Sequence, residues 1–347
     1  MRLLVTGGAG FIGSNFIRSI LAHRKGTEVV NLDKLTYAGN LENLADVVGH
    51  PGYRFIQADI GDARAVQEVL AAGFDAVVNF AAETHVDRSI EDASRFVTTN
   101  IVGTHLLLES AREHRVPLFI QISTDEVYGS AAPAQNFRED APLNPGSPYA
   151  ASKAAADLLV RSYVNTYSFP AIVLRCTNNY GPYQFPEKFI PLMIANALED
   201  KPLPVYGDGL HERDWLYVED YCLLIELVLE RGKPGEIYNA SSGRQMPNRR
   251  AAERILELLG KPSSLIRSVE DRRGHDRRYA IDSTKSGLAF GWEPRVTFEE
   301  GIRRTIDWYK TNTAWLKRAL SKQHREDDHP GYSTRSKTPK SVLRGAR

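Results

Sequence analysis

Only two cysteines, Cys176 and Cys222, occur among 347 residues, far apart and without a C-x-x-C spacing or a secretory context. A disulfide framework is therefore not expected, and both read as reduced thiols of a cytoplasmic protein. Long apolar runs are also missing: none approaches the ~18 residues that a membrane-spanning helix needs. Met1 leads directly into an apolar strand, so neither a secretory leader nor a membrane partner is expected. Charge of one sign is scarce, with 44 basic against 43 acidic side chains. That balance argues against a general nucleic-acid binder. The nine histidines form neither HExxH nor another tight cluster, so no metal site is expected. No internal repeat is evident. The length exceeds one typical core, which points to a large domain with a smaller companion.

What the chain does have is alternation. An apolar strand at 2–6 runs into Gly7-Gly8-Ala9-Gly10-Phe11-Ile12-Gly13, and a helical pattern begins near Ser14. Gly7 allows a tight turn, Gly10 lets backbone N–H groups approach a pyrophosphate, and Gly13 permits close helix-to-strand packing. A second strand at 28–32 ends in Asp33, twenty residues beyond Gly13, where a carboxylate can accept from an adenosine ribose. Asp33 would repel a 2′-phosphate, which favours NAD over NADP, while the neighbouring Lys34 pulls the other way. Strands at 53–58 and 76–80 follow, with a helix near 63–71 between them. Asp59 is placed either to accept from adenine or to cap that helix, and Ala81 and Ala82 leave space for a cofactor. A long helix around 94–114 leads to a strand at 118–122. Crossovers of this length indicate a parallel sheet wound right-handedly, a Rossmann-type doubly wound α/β domain over 1–175 with a segment near 210–230 returning to it.

The strand at 118–122 runs out into Ser123-Thr124-Asp125-Glu126, which sets two carboxylates where strand ends open onto a ligand crevice. Ser147 is a good N-cap and Pro148 suits the first helical position, so Tyr149 and Lys153 fall at i, i+4 on one helix face. A solvated acidic loop beside an ordinary amphipathic helix is the bland reading of either piece. Both pieces, placed after a dinucleotide fingerprint, point to one site with a phenol, an ammonium and two carboxylates. Beyond a strand at 171–175 the pattern changes to a smaller mixed α/β domain, mainly 176–316, for substrate. The runs 178–188 and 204–209 are rich in turn formers and aromatics. The run 271–278 concentrates cations, either as a solvated face or, with Arg213 and Lys188, as a hold on a diphosphate. From Gln323 the chain is polar and basic, and 323–347 reads as a disordered tail.

These motifs resemble the extended short-chain dehydrogenase/reductases, and closely the dTDP-glucose 4,6-dehydratases among them, over roughly residues 1 to 316. The glycine fingerprint and Tyr149-x-x-x-Lys153 are general to the superfamily. More specific are the runs 32–41 and 81–89, the triplet Thr124-Asp125-Glu126, and the runs 178–188 and 274–282. Related epimerases are not expected to carry the Asp-Glu pair. The resemblance implies NAD contacts from Gly7, Gly10, Phe11, Ile12, Gly13, Asp33, Lys34, Leu35, Thr36, Asp59, Ile60, Phe80, Ala81, Ala82, Thr84, Thr99, Tyr149, Lys153 and Asn179. It implies contacts to dTDP-glucose, or a close sugar nucleotide, from Thr84, Thr124, Asn178, Lys188, Phe189, Pro204, Tyr206, Arg213, Asn248, Asp271 and His275, and it implies a homodimer. Departures from the family pattern are Arg249-Arg250 after Asn248, Arg273 in place of proline, Cys222 in place of histidine, and a short 130–146 connection.

The chemistry so implied starts at Tyr149, its pKa lowered by Lys153 and the nicotinamide charge, taking the O4 proton while Thr124 holds O4 and hydride leaves C4. Glu126 then removes the C5 proton, Asp125 protonates the departing C6 hydroxyl, and hydride returns to C6. Two other readings compete. A UDP-sugar 4-epimerase or decarboxylase would give Asp125 no acid role, and a non-catalytic NAD-binding sensor would need Asp33 but not Tyr149, Lys153 or the carboxylate pair.

Overall fold

Short Val, Ile and Leu runs that are apolar on both faces make buried parallel strands. The computed structural model describes residues 1–327. Its first six strands are β1 (Arg2–Thr6), β2 (Glu28–Asp33), β3 (Tyr53–Gln57), β4 (Ala76–Asn79), β5 (Phe119–Thr124) and β6 (Ala171–Cys176). The later ones are β7 (Asn178–Tyr180), β8 (Leu203–Tyr206), β9 (Glu212–Tyr217), β10 (Ile237–Ala240), β11 (Gln245–Pro247) and β12 (Ile266–Val269). The main sheet has the order β3-β2-β1-β4-β5-β6-β10, with every neighbouring pair parallel. Winding reverses between β1 and β4, and that reversal opens a crevice at the carboxyl ends of the strands.

Strand alternation divides the core between two faces. Leu3, Val5, Ile120, Ile122, Ile172 and Leu174 pack with Phe16 and Ile17 of the helix Phe11–His23 and with Tyr221 and Ile225 of the helix Val218–Arg231. Leu4, Phe119, Ala171 and Val173 face the other way, onto Leu70, Leu107, Leu108 and Val160. Each large side chain buried in this way contributes roughly 1.5–3 kcal/mol. A separate cluster built on Ile190, Ile194, Trp215, Tyr217 and Trp315 forms the smaller half, where β9 is the centre of a three-stranded sheet with β7 and β11, and β8 pairs with β12. One polar network crosses the interior. Arg175 Nε donates to Asp157 (2.8 Å), its Nη1 donates to the Tyr128 hydroxyl (2.7 Å), and that hydroxyl donates to Asn239 of β10 (3.0 Å).

Several boundaries differ from the sequence reading. The segment that rejoins the main body is the helix Val218–Arg231 with β10, whereas β9 lies in the second sheet. The first helix starts at Phe11, directly on the glycine loop. The long helix at 94–114 is three pieces, Ser94–Phe96, a π-helical turn Val97–Gly103, and Thr104–Glu113. The turn holds Asn100 as a clasp: its Nδ2 donates to the Glu83 carbonyl (3.0 Å) and Ser152 Oγ (2.8 Å), and its Oδ1 accepts from the Glu83 N–H (2.9 Å). The last helix, Thr313–Asp327, carries regular structure past Gln323, and the rest of the expected tail lies outside the described residues. Among the described residues, no helix is long and apolar enough to cross a membrane.

Candidate active site

The loop after β1 is tight enough to demand glycine. Gly7 has φ +72°, and a Cβ there would lie 2.6 Å from the Ala81 nitrogen, while one at Gly13 would lie 2.5 Å from the Gly7 carbonyl oxygen. At Gly10 a Cβ would meet only that same oxygen, at 3.2 Å, which leaves the side toward the crevice open. Asp33, at the end of β2, ties this loop down. Its Oδ2 accepts from the Ala9 N–H (2.9 Å) and its Oδ1 from the Leu35 N–H (2.8 Å). Burial pushes its pKa up, and the two N–H groups oppose that. Leu35 itself does not line the crevice, because its φ of +60° turns the chain so that only its backbone serves Asp33. Asp59 does not cap the following helix, since Asp62 accepts from the Arg64 and Ala65 N–H groups instead. Asp59 lines the crevice and pairs with Lys34 (2.5 Å), which draws that ammonium aside.

A cleft of about 630 Å³ runs from this loop into the smaller half. It is lined by every cofactor, substrate and catalytic candidate from the sequence except Leu35 and Asp271. The fit to a dinucleotide rests on the bare glycine backbone at one end and on polar atoms left over inside. Asn178 Oδ1, Asn179 Oδ1, Gln184 Oε1 and Asn248 Oδ1 are buried without a partner among the described residues. Buried acceptors in that state await a ligand or water.

Tyr149 and Lys153 stand on the helix Pro148–Tyr167, started by Ser147 Oγ accepting from the Ala150 N–H (3.1 Å) and by Pro148 in its first turn. Lys153 Nζ donates to the Ile122 carbonyl (2.6 Å), and burial moves its pKa down. The expected lowering of the Tyr149 pKa is absent from the protein's own groups. Burial pushes the phenol well up, the negative charge of Glu126 and Asp125 adds to the rise, and a bond with Thr124 opposes it. Asp125 rises well above the carboxylate range through burial and the charges of Glu126 and Asp214. Glu126 is also raised by burial, but Arg272, Arg213 and Lys188 pull it back and the Tyr279 hydroxyl donates to its Oε2 (3.2 Å). The two carboxylates thus have different surroundings.

On the substrate side, Lys188 Nζ donates to the Thr84 carbonyl (2.7 Å), and the Arg213 guanidinium lies 4.1 Å from the Tyr279 ring centre. The Tyr206 hydroxyl and Arg272 Nη1 both reach across the mouth to Asp87 of the larger half (2.9 and 3.4 Å). Asp271 backs the site rather than lining it: its carboxylate lies 2.6 Å from His275 Nδ1 and 3.3 Å from His211 Nε2. These three residues form a close group that the sequence did not suggest. The two imidazoles are stacked with centres 3.7 Å apart and planes 12° apart, so their in-plane lone pairs do not converge on one ion. Tyr279 and the buried Glu187, which accepts from the Tyr37 hydroxyl (2.9 Å), also line the cleft and were not singled out from sequence. Both lie inside the runs quoted for the resemblance, which was the available signal.

Residues 4–305 match the family model described as GDP-mannose 4,6 dehydratase. The curated dTDP-glucose 4,6-dehydratase of Streptomyces niveus is 50% identical over 319 residues, covering 91% of this chain and 94% of that protein. The chain belongs to the dTDP-glucose 4,6-dehydratases. The crystal structure of the family member DesIV from Streptomyces venezuelae, with NAD and TYD bound, is similar at TM-score 0.90 and 48% identity, covering 92% of this chain and 100% of that one. A UDP-glucose 4-epimerase of Thermus thermophilus in complex with NAD shares the fold at TM-score 0.83 with 33% identity, covering 90% of this chain and 100% of that one.

Proposed function

We propose that the protein converts dTDP-glucose to dTDP-4-keto-6-deoxyglucose and water, using NAD that is not consumed. The observation that carries this reading is the adjacent pair of buried Asp125 and half-buried Glu126, beside Tyr149 in contrasting electrostatic surroundings. An epimerase needs no such pair. When bound, NAD would supply hydride transfer from C4 and back to C6, and its oxidised ring would supply the positive charge that the Tyr149 phenol lacks from the protein. Asp33, Asp59 and the glycine loop would hold its adenosine half, and Lys153 and Asn179 its nicotinamide half.

Tyr149 takes the O4 proton while Thr124 donates to O4. The resulting ketone acidifies C5, and Glu126, its carboxylate favoured by three neighbouring cations, removes that proton. Asp125, kept protonated by its surroundings, gives a proton to the C6 hydroxyl as it leaves, so the C5–C6 double bond forms and water departs. With hydride back at C6, Glu126 would give a proton to C5 and return to its carboxylate form. Two carboxylates in opposite roles require environments that separate their pKa values.

The test is single turnover with dTDP-glucose, following bound NADH absorbance beside deuterium at C5. Glu126→Gln is expected to oxidise C4 without exchanging C5, and Asp125→Asn to oxidise C4 but eliminate water ~10²–10⁴-fold more slowly. Tyr149→Phe impairs the first hydride transfer. Wild-type exchange in Glu126→Gln, or wild-type elimination in Asp125→Asn, would overturn the assignment.

We also propose a cytoplasmic homodimer. Its support is the family resemblance together with Val97, Val102 and Leu158, apolar side chains exposed on neighbouring helical segments.

A further inference from the structure

We propose that Asp214, a buried anion behind the reaction cavity, keeps Asp125 in its acid form and so divides the labour between the paired carboxylates. The inference rests on Asp125 being the acid.

The pleat of β9 sends Arg213 and Trp215 into the cleft and Asp214, between them, away from it. Asp214 is fully buried and does not line the cavity. Its place relative to Asp125 follows from strand register. Thr124 pairs with Cys176 and Asn178 pairs with Trp215, so Thr177 stands between Asp125, one step past Thr124, and Asp214, one step before Trp215. Thr177 Oγ1 bridges part of that gap by donating to Asp214 Oδ1 (3.5 Å).

Burial pushes the Asp214 pKa up, and its hydrogen bonds oppose that by favouring the charged form. Its Oδ1 accepts from the Ser242 N–H (2.9 Å), and its Oδ2 accepts from the Gly243 N–H (2.9 Å) and Gln245 Nε2 (3.4 Å). All of these partners donate, so a protonated Asp214 would set its own O–H against an N–H. Asp125 is the reverse case. It receives one bond, from the Thr124 hydroxyl (3.2 Å), and its Oδ2 has no partner among the described residues. The charged groups that weigh most on it are the anions Glu126 and Asp214 and the cation Arg213, with the Tyr149 phenol and the Cys176 thiol close by. Glu126 has three cations, Arg272, Arg213 and Lys188. Negative charge held on Asp214 by these donors adds to the bias that protonates Asp125 and leaves Glu126 as the base. Asp214 touches neither reacting atoms nor the cavity and is a positioning residue.

The experiment measures single-turnover dehydration of dTDP-glucose by NAD-loaded Asp214→Asn across pH 6 to 10, with the C4 oxidation rate and thermal melting as checks on the site and the fold. Removal of the anion lowers the Asp125 pKa, so the alkaline limb of the dehydration profile is expected to move down by about one pH unit. C4 oxidation is expected to stay near the wild-type rate. An amide sets its NH₂ against one backbone N–H, so Asp214→Ser, neutral and small enough to admit a water, is the second variant. A slower rate at every pH with the limb in place would mean a merely structural role and would overturn the inference. Asp125→Asn separates the two claims. If it too retains the limb, the acid assignment fails. If it loses the limb while both Asp214 variants keep it, only the role of Asp214 fails.

Discussion

Replacement of Asp33 by Asn perturbs two things at once. The carboxylate accepts the Ala9 N–H of the glycine loop through one oxygen and the Leu35 N–H of the segment after β2 through the other. An amide of the same shape can accept only one of them, and it turns its NH₂ toward the other. One buried N–H left unpaired costs about 1–3 kcal/mol, and the charge-assisted bond to a ribose hydroxyl is worth about 1.5–3 kcal/mol more. At about 1.4 kcal/mol per tenfold, the second contribution alone weakens NAD roughly 10- to 150-fold. The first contribution falls on the cofactor-free protein, whose melting temperature drops by several degrees, about 2–4 °C for each kcal/mol in a chain of this order of size. Isothermal titration with NAD and thermal melts with and without NAD read the two parts separately. Unchanged NAD affinity would refute the placement of the adenosine pocket, and an unchanged cofactor-free melt would refute the role of Asp33 in holding the loop.

Two further outcomes are expected. His85 is kept neutral by burial and by the charges of Lys188 and Arg88, with its pKa pulled down to about 3 from an ordinary 6.5. Between those values the unfolded chain binds more protons than the folded one, so the stability present above pH 6.5 is lost progressively as pH falls toward 3; His85→Gln should flatten that limb of a melting-temperature profile, and a wild-type profile already flat over this range would sink the argument. Leu158→Lys places a charge on an exposed apolar side chain of the helix Pro148–Tyr167 and should shift sedimentation from dimer to monomer; a wild-type protein that sediments as a monomer would remove the proposed interface.

What the sequence made legible was local. The glycine loop with Asp33, the strand end at Thr124, and Tyr149 with Lys153 on one helix face each depend on spacing within a single element or turn, and those residues came together as their spacing required. What it hid depends on distant segments meeting. Spacing places Lys153 beside Tyr149, but the direction of the phenol's pKa follows from its own burial, to which Glu126 and Asp125 next to it add. Tyr279 gains its meaning from Glu126 across 153 positions of chain, and Asp271 sits against two histidines whose stacking no pattern announces. Position left Asp59 open between adenine and the helix cap, and the backbone gives the cap to Asp62, three residues on. The π-helical turn at Val97–Gly103 has no sequence period of its own, because a single wide turn inside a helical stretch leaves the apolar pattern on both sides intact.

The late arrival of β10 bears on how the chain is made. As β1 to β6 emerge during synthesis, the outer edge of β6 is complete but unpaired, and its natural neighbour, Ile237–Ala240, is still about sixty residues away. At roughly 5–20 residues per second the edge waits several seconds. An open strand edge is a template for pairing with other chains, and this one is apolar at Ile172, Val173 and Leu174. The Tyr128 hydroxyl likewise lacks its acceptor, Asn239, over the same interval. A nascent chain stalled between Cys176 and Ile237 is thus the species most exposed to aggregation. Its yield should respond to translation speed through that interval more than to the same change made after Ala240.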